Sequence, residues 1–335
     1  MRLSYAQNLE DYYLDLVFRD TAAGAYIDVG GGHPVADNVS FWFYLKGWHG
    51  LVVEPQEALA QAYAGIRPRD HVVSHLAGRE DGEIDFHIVE GLHGLSSAVK
   101  ANAESAGQFG RGFVTTRKTV RRLSRLIEES GLAAVDFLKI DVEGAEPDVL
   151  AGLDLSRHRP RVILVESVNP NNPDASAAAW EPKLLASGYR HVFFDNLNRY
   201  YVASEHEALA TRFPQQPADW NTVAHLWDCG RAGDRTEHPD RRLAETLIAG
   251  LFASLPAIAA RDPALLATLI EKGLAALNAP GSDRALGLAD MLGGAEQPGL
   301  GGPIATTAAG LAADDRLRAA IGRIACMYDG GHLLA

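Results

Sequence analysis

The sequence predicts an α/β fold built on a doubly wound, Rossmann-like sheet, mostly parallel and closing on an antiparallel hairpin. Three observations carry that expectation. Short apolar runs that end in an acid recur at 25–29, 50–55, 135–141 and 161–166, stretches of helical periodicity separate them, and three glycines follow the first. Strands apolar on both faces are what a sheet covered by helices requires. After about residue 217 strand signals stop and alanine, leucine, glycine and proline dominate, dividing the chain into a sheet domain, 1–225, and a helical C-terminal extension, 226–335.

The elements follow in order. Leu9, Tyr12, Tyr13, Leu16 and Val17 recur at helical spacing within a predicted helix from Leu3 to Arg19. Residues 25–29 form the first strand, and Val35 to Lys46 an aromatic-rich helix stopped by Gly47. Gly50 to Pro55 is the second strand and His71 to Leu76 the third, with a turn at 78–82 and a return strand from Glu83 to Val89. Gly91 to Gly112 reads as a loop and Thr119 to Ser130 as a helix. Val135–Asp141 is the fourth strand, leading to a helix from about Pro147 to Ala151, and Arg161–Glu166 is the fifth. A helix from Glu181 to Ser187 precedes the hairpin of Val192–Phe194 and Tyr200–Val202. In the extension, Leu243–Ala260, Pro263–Asn278 and Asp314–Met327 read as helices.

The chemistry begins at Tyr26-Ile27-Asp28-Val29-Gly30-Gly31-Gly32. Glycines after a first strand let a ligand approach the backbone closely. A dinucleotide fingerprint would need a third glycine where Val35 stands, which disfavours a dehydrogenase. The remaining pattern is the acidic-x-G-x-G turn of S-adenosylmethionine enzymes. Glu54 ends the second strand 26 residues after Asp28, where a carboxylate takes ribose hydroxyls. Asp28, Glu54, Asp141 and Glu166 all sit at strand ends, and such gathered acids imply a cation or donor hydroxyls between them.

Composition sets bounds. With 335 residues, 47% apolar and 22% charged, the chain is ordinary for a globular protein. A net charge of −12 argues against nucleic acid as a partner. The basic cluster Arg117, Lys118, Arg121, Arg122 and Arg125 reads as a solvated helix face. Cys229 and Cys326 alone make neither a disulfide framework nor a metal spacing. No stretch reads as a signal peptide or a membrane span, so a cytoplasmic location is expected.

With these residues placed, the chain resembles the FkbM family of S-adenosylmethionine-dependent methyltransferases over roughly residues 3–225. The resemblance rests on Ser4-Tyr5-Ala6-Gln7-Asn8-Leu9-Glu10-Asp11, the turn at 26–34, Asp37-Asn38-Val39-Ser40, Gly47–Pro55, Leu138–Glu146 and Phe194–Val202. Gly31 and Gly32 stand where the family usually carries alanine and asparagine.

What the resemblance implies is methyl transfer to a hydroxyl, on a sugar of a glycan or natural product. Asp28, Gly30 and Gly32 would line the methionine part of the cofactor, Gln7 and Ser40 would reach the same end, Glu54 would hold the ribose, and Leu76 and Ala77 would flank the adenine. Asp141 or Glu166 would act as base, with Glu143 orienting the acceptor or Lys139; His33 and His93 are further candidates. Asp141, Glu166 and Asn169 also resemble the magnesium site of catechol-type O-methyltransferases, which would add a divalent metal. The competing expectation is a non-catalytic relative that binds the cofactor or a glycan. The C-terminal helices offer a face for a homo-oligomer or a cover for the cleft.

Overall fold

The computed structural model describes residues 3–89, 92–167, 177–278 and 314–329. Its centre is a seven-stranded sheet. Five strands are parallel: β2 (Ala25–Val29), β3 (His49–Val53), β4 (His71–Val73), β8 (Phe137–Ile140) and β9 (Val162–Glu166). The hairpin of β10 (Tyr189–Phe194) and β11 (Asn198–Ala203) adds antiparallel to β9. The order is β10-β11-β9-β8-β2-β3-β4, so the chain runs outward from β2 to β4 and then returns to β8 on the other side of β2. Such a reversal opens a crevice above the carboxyl ends of the two inner strands.

Two apolar layers sandwich this sheet because its strands alternate. Ile27, Val29, Leu138 and Ile140 face one cluster, with α5 (Leu123–Ser130) and α6 (Glu146–Ala151). Tyr26 and Phe137 face the other, where they stack at 5.5 Å beside Phe18, Phe43 and Trp48. The helices there are α1 (Glu10–Val17) and α2 (Phe41–Leu45). Helix α3 (Glu57–Ile66) links β3 to β4.

Several boundaries differ from the expectations. The first helix begins only at Glu10, because Asp11 captures the Ser4 hydroxyl at 2.6 Å and the Tyr5 amide at 2.7 Å. Leu3–Ser4 is instead a short strand, β1, parallel to β12 (Ala224–His225). Residues 35–40 are a turn rather than helix, closed by Asn38 Oδ1 accepting from the Phe41 amide at 2.8 Å. The third strand breaks after Val73; β5 (Leu76–Gly78) leaves to join β6 (Gly82–Val89) and β7 (Phe113–Arg122) in a separate three-stranded sheet. Thr119–Arg122 is therefore the end of a ten-residue strand, and the basic cluster lies mostly on that strand, paired with Asp81 and Asp85. The expected loop at 91–112 contains helix α4 (Lys100–Ser105).

Helix α7 (Glu181–Ala186) precedes the hairpin, and α8 (Leu226–Cys229) follows β12. Then come α9 (Arg241–Arg261), α10 (Pro263–Asn278) and α11 (Asp315–Asp329). One hydrophobic cluster joins Leu3, Tyr5, Val35 and Phe41 to Leu226, Ala319 and Cys326. Helix α9 is long and apolar enough, by length and composition alone, to cross a bilayer, and its most apolar window is only 11% buried. Its one interior acid, Glu245, lies near its start, so the run beyond it carries no charge until Arg261.

Candidate active site

The glycine turn leaves β2 where only glycine fits. Gly30 has φ +78, and a Cβ there would meet the Asp141 carbonyl oxygen at 1.7 Å. Gly32 has φ +56 and open space in front of it. The polar groups of the turn are held by side chains from several elements. The Gly31 carbonyl accepts from Asn38 Nδ2 at 2.9 Å and from the Tyr63 hydroxyl at 2.8 Å, and the Gly32 amide donates to Glu54 Oε2 at 2.7 Å. The Gly30 carbonyl accepts from Lys139 Nζ.

Behind the turn lies Arg67, fully buried. Its guanidinium donates to Asp70, Asn38, Pro34, Tyr26 and Ser40, at 2.7 to 3.1 Å, with the rings of Tyr63 and Tyr44 4.8 and 5.3 Å away. A single permanent charge thus braces the segment that shapes the ligand-facing backbone. Sequence reasoning missed it, since one arginine after a helix carries no periodic signal.

The glycine turn opens on a cleft of about 800 Å³ above the carboxyl ends of β2, β3 and β8. Gln7, Gly30, Gly32, Glu54, Leu76 and Ala77 all line it, as do Asp141 and Glu143. Asp28 and Ser40 do not. Both are fully buried, and the Ser40 hydroxyl donates to Asp28 Oδ2 at 2.6 Å. The reason is the period of the strand: Asp28 shares the face of Tyr26, beneath α2, and its cross-strand neighbour on β8 is Lys139. Asp28 instead stands 3.4 Å from Lys139 Nζ, and the Ser40 hydroxyl accepts from Arg67 at 2.8 Å. His33 lines the cleft, yet its Nδ1 accepts from the amides of Val35 and Ala36, so it caps the turn. The side chain of His93 lies outside the described residues, as does Asn169.

The carboxylates of Asp141, Glu143 and Glu166 come together at the ends of β8 and β9, one oxygen of each within 4.8 Å of the others. Glu143 takes a left-handed backbone, φ +54, and its carbonyl is held by Ser97 Oγ at 2.8 Å and by Asn102 Nδ2. Lys139 Nζ stands 3.3 Å from Asp141 and 3.4 Å from Asp28. Burial works against its charge, but Asp141 and Asp28 more than offset that and raise its pKa above the ordinary lysine value. Burial, and then the charge of Asp141, pushes Glu143 and Glu166 well above the carboxylate range. One ammonium against three clustered acids leaves at least one proton resident in the cluster. Glu54, buried and accepting from the Gly32 and Gln56 amides, is pushed up to about 7 by burial.

Residues 23–191 match the methyltransferase FkbM domain, half of the chain and all of the parallel sheet. The chain belongs to the FkbM methyltransferase family. Within a curated relative, the AMB antimetabolite synthetase AmbE of Pseudomonas aeruginosa, 137 residues are 29% identical, covering 38% of this chain and 6% of that protein. A crystal structure of methyltransferase FkbM from Methylobacillus flagellatus KT aligns at 14% identity and a TM-score of 0.33, covering 57% of this chain and 50% of that one. The FkbM match ends within β10, so it includes the glycine turn and acid cluster but neither the N-terminal segment with Gln7 nor the helices after β12.

Proposed function

We propose that this FkbM methyltransferase uses S-adenosylmethionine to methylate a hydroxyl, on a sugar of a glycan or natural product, in the cytoplasm. The observation that carries the reading is the meeting in one cleft of the glycine turn with Asp141 and Glu143, whose carboxylates lie beside that of Glu166, a residue that does not itself line the cleft. The outward and returning strand order supports a doubly wound, Rossmann-like sheet with its ligand at the reversal. The fit to the cofactor rests on Gly32, whose backbone faces open space, and on Glu54, whose side chain borders the same space. Glu54 would accept from the ribose hydroxyls, Gly30 and Gly32 would meet the methionine part with Gln7, and Leu76 and Ala77 would pack against the adenine. The cofactor supplies an electrophilic methyl group.

The chain's own residues do the rest. A sugar hydroxyl holds its proton at neutral pH, so a base must take it as the methyl is attacked. Lys139 fixes Asp141 in place beside the cleft, and the carboxylate that receives the proton belongs to the cluster of Asp141, Glu143 and Glu166. Holding acceptor and donor in line supplies much of the acceleration. A second reading adds a divalent cation on the same three carboxylates, a donor set suited to a hard ion that would acidify the bound hydroxyl. The name of AmbE, an antimetabolite synthetase, favours a natural product over a polymer as acceptor.

The test is incubation with radiolabelled S-adenosylmethionine and hydroxylated extracts, with and without EDTA. Asp141→Asn and Glu166→Gln should lower turnover by roughly 10²–10⁴-fold while cofactor affinity holds. Full activity of both variants would remove the cluster from the reaction. Loss on EDTA, restored by Mg²⁺, would establish the cation.

A further inference from the structure

The segment from Leu95 to Ser105 reaches from the three-stranded sheet to the acid cluster and grips it at one backbone atom. The Glu143 carbonyl accepts from Ser97 Oγ at 2.8 Å and from Asn102 Nδ2. Ser97 is fully buried, and its amide and carbonyl both pair with those of His87 on β6, at 3.1 and 2.9 Å. His87 is in turn tied to Thr115 on β7, its Nδ1 lying 2.8 Å from Oγ1. The Ser97 hydroxyl also accepts from the Val99 amide at 2.8 Å, just before α4, the helix that carries Asn102. Gly144, at φ +99, leaves room for this approach: a Cβ there would stand 2.5 Å from Asn102 Nδ2. From the other side, buried Glu146 accepts through Oε1 from the Val142 amide at 3.2 Å and the Gly144 amide at 3.0 Å.

What the grip does follows from backbone geometry. Glu143 lies at φ +54, a left-handed conformation that a glutamate holds only where its surroundings impose it. Two donors on its carbonyl fix the peptide plane between Glu143 and Gly144, and with it the direction in which the side chain leaves the backbone. Without them Glu143 would relax to negative φ, and its carboxylate would swing away from Asp141 and Glu166, which it now meets within 4.8 Å. We infer that Ser97 and Asn102 are positioning residues for methyl transfer, acting through the Glu143 backbone to aim its carboxylate into the cluster. The inference rests on the reading of the cluster given above and adds which remote groups set its shape. The same segment also faces the ligand space, since Leu95, Ala98 and Val99 line the cleft. One wall of the cleft and the aim of one of its acids thus share a single anchor.

The experiment compares Ser97→Ala, Asn102→Ala and the double variant in the full chain, each change removing a donor without adding bulk. Turnover of radiolabelled S-adenosylmethionine with the hydroxylated extracts should fall roughly tenfold in each single variant and about 10²-fold in the double, the scale of a small misplacement at a reacting centre. Calorimetry with S-adenosylhomocysteine should return the parental affinity and the parental binding-competent fraction, which separates lost aim from lost fold. Glu104→Gln, exposed on the same helix, should match the parent throughout. A crystal structure of the double variant should show Glu143 outside the left-handed region and its carboxylate withdrawn from Asp141. Full turnover in the double variant would overturn the inference, as would a crystal structure with Glu143 still near φ +54 and its carboxylate still beside Asp141. Parallel losses of turnover and cofactor affinity would overturn it too, since they mark a general support of the cleft. The crystal structure needs no acceptor, so a parent protein that transfers no methyl group would strike the methyltransferase reading and leave this comparison to be decided by geometry.

Discussion

The rim of the seven-stranded sheet and the helix pair α9–α10 treat their awkward groups in opposite ways. At the rim, polar and charged side chains are buried, and partners from several elements answer them: Arg67 to Asp70, Asn38 and Ser40, Glu54 to the Gly32 amide, Lys139 to Asp28 and Asp141. In the helix pair, Leu247, Ile248, Leu251, Phe252, Leu265 and Ile270 are large, apolar and exposed. The first arrangement is costly to disturb at any single position. The second tolerates change among the described residues, because little packs on it. Function should concentrate where the chain hides charge and stability should be indifferent where it shows oil.

The largest effect that would break this contrast is at Arg67. Arg67→Met should destabilise by about 3–5 kcal/mol, since it leaves the Asp70 carboxylate buried without its counter-charge. Thermal denaturation measures it, and a loss below about 1 kcal/mol would mean the network is ornamental. Next comes pH. Glu54 has a folded pKa of about 7 against an ordinary 4.5, so the folded state holds the extra proton. The sign follows: its contribution is full below pH 4.5, falls as pH rises through the interval, and is gone above 7. Melting of the ligand-free protein should therefore fall between pH 5 and 8, with Glu54 accounting for about 2–3 kcal/mol. Glu54→Gln should flatten that part of the curve; an unchanged slope would assign it to other buried acids such as Asp11, also raised to about 7 by burial. The smallest expected effect is in the helix pair. Phe252→Ser, at a side chain 63% exposed, should change stability by less than about 0.5 kcal/mol and leave turnover unaltered. A large loss would show that α9 is covered in solution.

How much of this was legible from residues alone depends on whether one segment decided it. β2, β3, β8 and β9 were readable because strands buried on both faces must be continuous apolar runs. The cleft residues Gly30, Gly32 and Glu54 followed, since position along such strands fixes which end they occupy. The burial of Asp28 was legible in the alternation: it shares the parity of Tyr26, whose ring packs under α2, and its side chain is buried beside Ser40 and Lys139. Thr119–Arg122 misled because a strand with arginines at alternate and adjacent positions mimics a polar helix face, and only pairing with β6 decides between them. Arg67 and the β1–β12 pairing depend on residues far apart in the chain, which no local pattern encodes.

The pairing of Leu3–Ser4 with Ala224–His225 has a consequence for biosynthesis. Leu3–Ser4 is synthesised before the parallel strands, yet its lateral support is made some 220 residues later. The edge of the cleft that carries Gln7 is thus completed only by residues made after every parallel strand, and a polypeptide cut short before residue 224 would carry every acid of the cluster without that pairing.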